Sequence, residues 1–123
     1  MLAENYKEMD QLINREIEAT NLSKSDALST AELFASRVRE DIDSQAIVIL
    51  FGSCAKDKIH ARSDIDIAVV SGVFDIDVAA NYGMLGSIVY DINAMIESHP
   101  FSLEDWSCST PFIEEIKKTG VVL

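Results

Sequence analysis

An α/β (α+β) layer structure is expected of this chain. Residues 46–51 form a short, continuously apolar run rich in β-branched side chains, the pattern of a strand buried on both faces, and residues 63–70 form a second strand with two acids at its start. Apolar residues at helical spacing flank them, as at Tyr6, Met9, Leu12, Ile13 and Ile17. Gly, Ser, Asn and Pro punctuate the intervals and keep each element short. The resulting order is αα, β, β, α, β, α, β.

The elements follow in turn. A first helix over residues 6–17 ends at a break across residues 20–25, where Thr20, Asn21, Ser23 and Ser25 favour caps and turns. A second helix is expected over residues 30–41, with Thr30 as N-cap, Glu32 in its first turn, and Leu33, Phe34 and Val38 on its apolar face. The strand 46–51 stops at Gly52 and Ser53. A polar connector, residues 56–62, leads to the second strand, which opens on Asp64 and Asp66 and ends at Ser71 and Gly72. Asp75 and Asp77 suit the first turn and cap of a helix running to Leu85 and closed by Gly86. A strand over residues 91–96, broken by Pro100, comes next. A last helix packs Ile113 and Ile116 inward, carries Lys117 and Lys118 at its C-terminal end, and stops at Gly120 as C′ residue. Residues 121–123 can form a final short strand.

Composition narrows the functional classes. At 123 residues the chain is a single domain, 1–123, and 48% apolar residues suffice for a real core. Ten basic residues face 21 acidic ones, a net charge of −11. Such a surface repels phosphate backbones and anionic lipid, so general nucleic-acid or membrane binding is disfavoured. Phosphate would have to be bound locally, by backbone N–H groups and metal ions. Two cysteines, Cys54 and Cys108, are too few for a disulfide scaffold. The first ten residues carry Glu4, Glu8 and Asp10 and lack the apolar stretch of a signal peptide. The longest apolar run falls far short of the roughly 20 residues of a membrane helix. A cytoplasmic protein with free thiols is expected.

The chemistry concentrates in residues 50–70. Asp64 and Asp66 stand at i and i+2 of one strand and therefore face the same side, with Ile65, Ile67 and Val69 facing the core. Two carboxylates roughly 6 Å apart repel by roughly 3 kcal/mol at an effective dielectric near 20, and a divalent cation offsets that cost. Hard oxygen ligands suit Mg²⁺ or Mn²⁺ holding a triphosphate. Gly52 lets a ligand approach the backbone of the preceding strand end, and Ser53 adds a donor. An anion cradle and a pair of metal ligands thus lie ten residues apart, as metal-assisted transfer onto or from a nucleoside triphosphate requires.

The run Leu50-Phe51-Gly52-Ser53-Cys54-Ala55-Lys56-Asp57-Lys58-Ile59-His60-Ala61-Arg62-Ser63-Asp64-Ile65-Asp66-Ile67 resembles the signature of the nucleotidyltransferase superfamily related to DNA polymerase β, in its minimal single-domain form. Residues 111–121 resemble the close of such small proteins. The resemblance covers a core of residues 29–123 and leaves residues 1–28 as an N-terminal helical extension. It implies a nucleotidyltransferase fold, a mixed sheet with 46–51 and 64–70 at its centre and helices packed mainly on one side. It implies nucleotide binding by Gly52, Ser53, Lys56 and Ser63, with Asp64 and Asp66 as metal ligands and catalytic acids for Mg²⁺ or Mn²⁺. The implied reaction is attack of a hydroxyl on the α-phosphate, AMP from ATP being the first candidate, with pyrophosphate leaving. Minimal members often act beside a HEPN-type helical protein in toxin–antitoxin pairs, so a protein acceptor or partner is implied.

The sequence also departs from that signature. Cys54 and Lys56 stand where minimal members usually carry Arg, and Asp57 where they carry Gly; Lys56 keeps the charge but loses bidentate recognition. The third carboxylate of active members falls on a later strand. Asp91 fills that role in one register; in the other Asn93 faces inward, and the chain would be a nucleotide- or partner-binding module without activity. Remaining candidates have plainer readings: His60 as a solvated loop residue, His99 as a turn residue, Cys54 as a small packing residue, Phe101 and Trp106 as core or homo-oligomer contacts.

Overall fold

A computed structural model describes residues 24–55 and 64–123. The expected first helix, residues 20–23 of the break, Lys56, Asp57, His60 and Ser63 lie outside the described residues. In chain order the elements are α1 (Lys24–Asp41), β1 (Ile47–Phe51), one 3-10 turn (Gly52–Cys54), β2 (Ile65–Val70), α2 (Val78–Ile92), β3 (Ile96–Phe101), α3 (Leu103–Ser107), α4 (Pro111–Thr119) and β4 (Val121–Val122).

The four strands form one mixed sheet in the order β3-β2-β1-β4. β1 and β2 pair antiparallel, Ile47 opposite Val70 and Phe51 opposite Asp66. β2 and β3 pair parallel, Asp66 opposite Glu97 and Ala68 opposite His99. The parallel pair needs a crossover, and α2 supplies it. β4 adds two residues to the outer side of β1. Arg39 fixes that end by donating from Nε to the Ala46 carbonyl at 3.2 Å and from Nη2 to the Leu123 carbonyl at 2.8 Å.

Strand alternation divides the side chains between two faces. Val48, Leu50, Ile65, Ile67, Val69 and Ile96 enter a core closed by Ala27, Ala31, Phe34 and Val38 of α1 and by Leu85 and Ile88 of α2. Each fully buried large aliphatic side chain contributes about 1.5–3 kcal/mol. On the opposite face a smaller cluster joins Ile49, Phe51 and Ala68 to Ile116 of α4, with Phe101 and Trp106 against it. The two long helices therefore cover one face. The short C-terminal helices cover only part of the other, and Asp66 lies on that second face.

Several boundaries differ from those expected. α1 begins six residues before Thr30, because Ala27, Ala31, Phe34 and Val38 continue one helical stripe through the supposed cap. Leu33 lies off that stripe and is exposed. α2 runs through Gly86 to Ile92; Asn81, Leu85 and Ile88 are its buried positions, at spacings of four and three. Asp77 caps it by accepting from the Ala80 N–H at 3.1 Å. Asn81 ties down the loop before it, donating to the Asp75 carbonyl at 2.7 Å and accepting from the Asp75 N–H at 3.1 Å.

The expected strand at 91–96 is instead the end of α2 (residues 91–92), a turn through residues 93–95, and only the first residue of the real strand. The real strand, β3, starts at Ile96 and includes Pro100. Ile65 donates to the Met95 carbonyl and Ser71 to that of Phe101, so odd-numbered residues of β3 turn their backbone toward β2. Pro100 faces outward, where its missing N–H breaks no ladder bond. Gly120 ends α4, but with φ −74° rather than a left-handed turn. The glycine is required by space, since a Cβ there would run into Ile49 and the Ile116 carbonyl.

Among the described residues no helix is long and apolar enough to cross a membrane.

Candidate active site

The site begins where β1 ends. Phe51 is extended, and Gly52 turns the chain with φ +73°, a conformation side-chain-bearing residues rarely adopt. The 3-10 turn that follows carries Ser53 and Cys54. Cys54 is fully buried and donates through Sγ to the Asp64 carbonyl at 3.3 Å, which fastens the turn to the start of β2. Burial pushes the Cys54 thiol up, and the negative charges of Asp66 and Asp64 push it further. Fully buried and bonded to the Asp64 carbonyl, Cys54 packs the turn against β2.

Asp66 is the second residue of β2, beside Phe51 on one neighbour and Glu97 on the other. Its carboxylate fills the space next to Gly52: a Cβ at position 52 would stand 2.5 Å from Asp66 Oδ2. Asp64 directly precedes β2 and is exposed, so it sits at the mouth of the site and not inside the strand as expected. Its carboxylate lies outside the three-residue group described next.

Two residues of β3 complete the site, and sequence reading assigned neither of them to it. His99 Nε2 lies 3.5 Å from Asp66 Oδ1 and 3.9 Å from Glu97 Oε1. One ligand atom each from Asp66, Glu97 and His99 falls within 4.8 Å of the others, a set able to hold one metal ion. Phe51 and Phe112 meet the His99 ring edge-on, with centroids 5.1 and 5.9 Å away. Phe101 and Trp106 pack at 5.4 Å farther along the same face, and Lys117 lies over the Trp106 ring. His99 is therefore a strand residue and not a turn residue.

Asp91 does not join this group. It lies near the C-terminal end of α2, more than half exposed, 3.4 Å from Arg37 of α1. Both helices cover the other face of the sheet, so β2 separates Asp91 from Asp66. Asn93 is the C-cap of α2, and its Oδ1 accepts from the Met95 N–H at 2.8 Å. It does not face the site either. The signal that could have located β3 is the alternation Glu97, His99, Phe101 against Ile96, Ser98, Pro100. Pro100 masks it, because a proline inside a run argues against a strand.

The donor set suits a divalent cation. Asp66 and Glu97 offer hard oxygens and His99 one imidazole nitrogen, and the lack of a side chain at Gly52 is what lets the Asp66 carboxylate lie against the turn.

A family model described as "Polymerase beta, Nucleotidyltransferase" matches residues 43–123. No curated protein matches the chain. Among solved structures the chain is similar to the crystal structure of a mutant of the toxin–antitoxin MntA–HpeT, with a TM-score of 0.51 and 20% identity over 82% of this chain and 72% of that one. At that identity the likeness speaks for the fold.

Proposed function

The chain belongs to the polymerase β nucleotidyltransferase family, and we propose that it transfers a nucleoside monophosphate, AMP from ATP first, to a hydroxyl acceptor. The observation that carries this reading is the junction of Gly52 and Asp66. A left-handed glycine turn packs directly against a carboxylate that is itself grouped with Glu97 and His99.

In this reading Gly52 and Ser53 hold the β- and γ-phosphates through their backbone N–H groups and the Ser53 hydroxyl. Lys56 and Ser63 extend that phosphate contact. Asp66 and Glu97, with Asp64 at the mouth, hold Mg²⁺ or Mn²⁺. Such a cation neutralises charge on the triphosphate and on the leaving pyrophosphate. Glu97 takes the place assigned to Asp91, as the carboxylate that accepts the proton of the acceptor hydroxyl. The hydroxyl oxygen bonds to the α-phosphorus, the bond to the bridging β-phosphate oxygen breaks, and pyrophosphate leaves with the electron pair. A charge of −11 favours a protein or small-molecule acceptor over RNA. The MntA–HpeT neighbour is a toxin–antitoxin pair, which supports a partner protein, with a HEPN-type helical protein as the specific candidate.

ATP labelled at the α-phosphate tests the reading. The wild type and an Asp64→Ala/Asp66→Ala variant are incubated with Mg²⁺ or Mn²⁺ and a lysate of the source cell. Label on a protein, RNA or small-molecule fraction with the wild type alone establishes transfer and identifies the acceptor class. No transfer from any of the four nucleotides, with nucleotide binding intact, leaves a binding module.

A further inference from the structure

We propose that His99 is a direct nitrogen ligand in the metal site and that it tilts the site from Mg²⁺ toward Mn²⁺ and other first-row transition cations. This rests on the metal-dependent reading above and concerns which ion the site selects.

The geometry is specific. The parallel register of β2 and β3 sets Glu97 opposite Asp66 and puts His99 two residues on, on the same face. All three side chains therefore rise from strands, whose positions are fixed by the sheet. The His99 ring is held by Phe51 and Phe112, each meeting it edge-on, with Nε2 turned toward the carboxylates.

The spacing fits a shared ion better than a direct bond. His99 Nε2 is 3.5 Å from Asp66 Oδ1 and 3.9 Å from Glu97 Oε1. A strong N–H···O bond would close to about 2.7–3.2 Å. Adjacent ligands on an octahedral ion with bonds of about 2.1 Å lie about 3 Å apart, and opposite ones about 4.2 Å. The three ligand atoms, all within 4.8 Å of one another, need only small side-chain adjustments to meet one ion. The side chains of Asp66 and His99 are each less than a quarter exposed, so the sheet side is closed and the open side remains for substrate.

The chemistry follows from ligand softness. Carboxylates and water satisfy Mg²⁺, which gains little from imidazole and dehydrates reluctantly; imidazole suits first-row transition cations, Fe, Ni, Cu and Zn most and Mn²⁺ least among them, so Mn²⁺ is the most demanding test of the nitrogen ligand. A site of two carboxylates alone would not discriminate in this way.

Mn²⁺ itself is the probe, used on the full chain with and without ATP. Pulsed EPR of bound Mn²⁺ should show nitrogen modulation that changes when the protein is made with ¹⁵N-labelled histidine, a test needing no substitution. Titration should show Mn²⁺ bound at least about tenfold more tightly than Mg²⁺, with the preference lost in His99→Ala and His99→Gln while Mg²⁺ affinity holds. Circular dichroism confirms that both variants remain folded. Bound Mn²⁺ without histidine nitrogen modulation, or a preference unchanged by both variants, overturns the role of His99 alone. Absence of Mn²⁺ and Mg²⁺ binding under all these conditions overturns the metal-dependent reading with it.

Discussion

The Asp66 carboxylate occupies the space that a side chain on residue 52 would need, so Gly52 and Asp66 act as one unit. Gly52→Ala should destabilise the fold twice over. The left-handed φ costs about 1–2 kcal/mol for a residue with a Cβ, and the clash with Asp66 adds to it. Asp66→Ala removes the clash and leaves the backbone cost. Urea unfolding of both single variants and the double variant should show the double less destabilised than the sum, with a coupling of about 0.5–3 kcal/mol. Strict additivity would show that the two residues do not meet.

Glu97 and Asp91 should separate cleanly in a transfer assay. Glu97→Gln removes the proton acceptor beside Asp66 and should lower turnover by about 10²–10⁴-fold. Asp91→Asn breaks an exposed ion pair with Arg37 on the far side of the sheet and should leave turnover within a factor of two or so, since such pairs contribute little. The reverse outcome would return Asp91 to the site.

Acid stability should depend on Asp43. The Ser71 hydroxyl donates to Asp43 Oδ2 at 2.6 Å, and this bond first, then the Gln45 N–H, holds the Asp43 carboxyl below its usual pKa. A carboxyl depressed in the folded state stabilises the fold above its unfolded pKa, about 4, and loses that contribution as pH falls through the folded value. Ser71→Ala should raise the Asp43 pKa in an NMR titration. It should also flatten the loss of stability on acidification below about pH 4. An unmoved Asp43 resonance would refute the assignment.

The two cysteines should differ in reactivity. Cys108 is exposed, whereas Cys54 is buried with a raised pKa. A thiol reagent should modify Cys108 promptly and reach Cys54 only on unfolding. Equal rates for both would contradict the packing of the 3-10 turn.

Neighbouring residues of α1 should respond oppositely to truncation. Phe34 is fully buried and Leu33 is 56% exposed. Phe34→Ala should cost about 3–5 kcal/mol and Leu33→Ala about 0.5 kcal/mol or less, read from denaturant midpoints.

Those two side chains also show what could be read from the sequence. The central strands, the Gly52 turn and Asp66 were legible, because a continuous apolar run and a glycine before two acids have few alternative meanings. The crossover was not. Ile88, Val89 and Ile92 fit a buried strand as well as a helix, and periodicity alone does not separate them over so few residues. The stripe from Asn81 through Leu85 and Ile88 decides for helix once the sheet supplies a surface to bury it. Misplacing that boundary moved β3 by five residues, and with it Glu97 and His99 were missed.

The outward-facing Pro100 has a consequence for how the molecule meets others. β3 is the outer strand on one side of the sheet, and an outer strand with free N–H and C=O groups invites another chain to add to it. At Pro100 the donor is missing and the pyrrolidine ring projects where the added strand would run. Among the described residues, the β3 margin of the sheet is therefore blunted, and a strand added there would lose its ladder at Pro100.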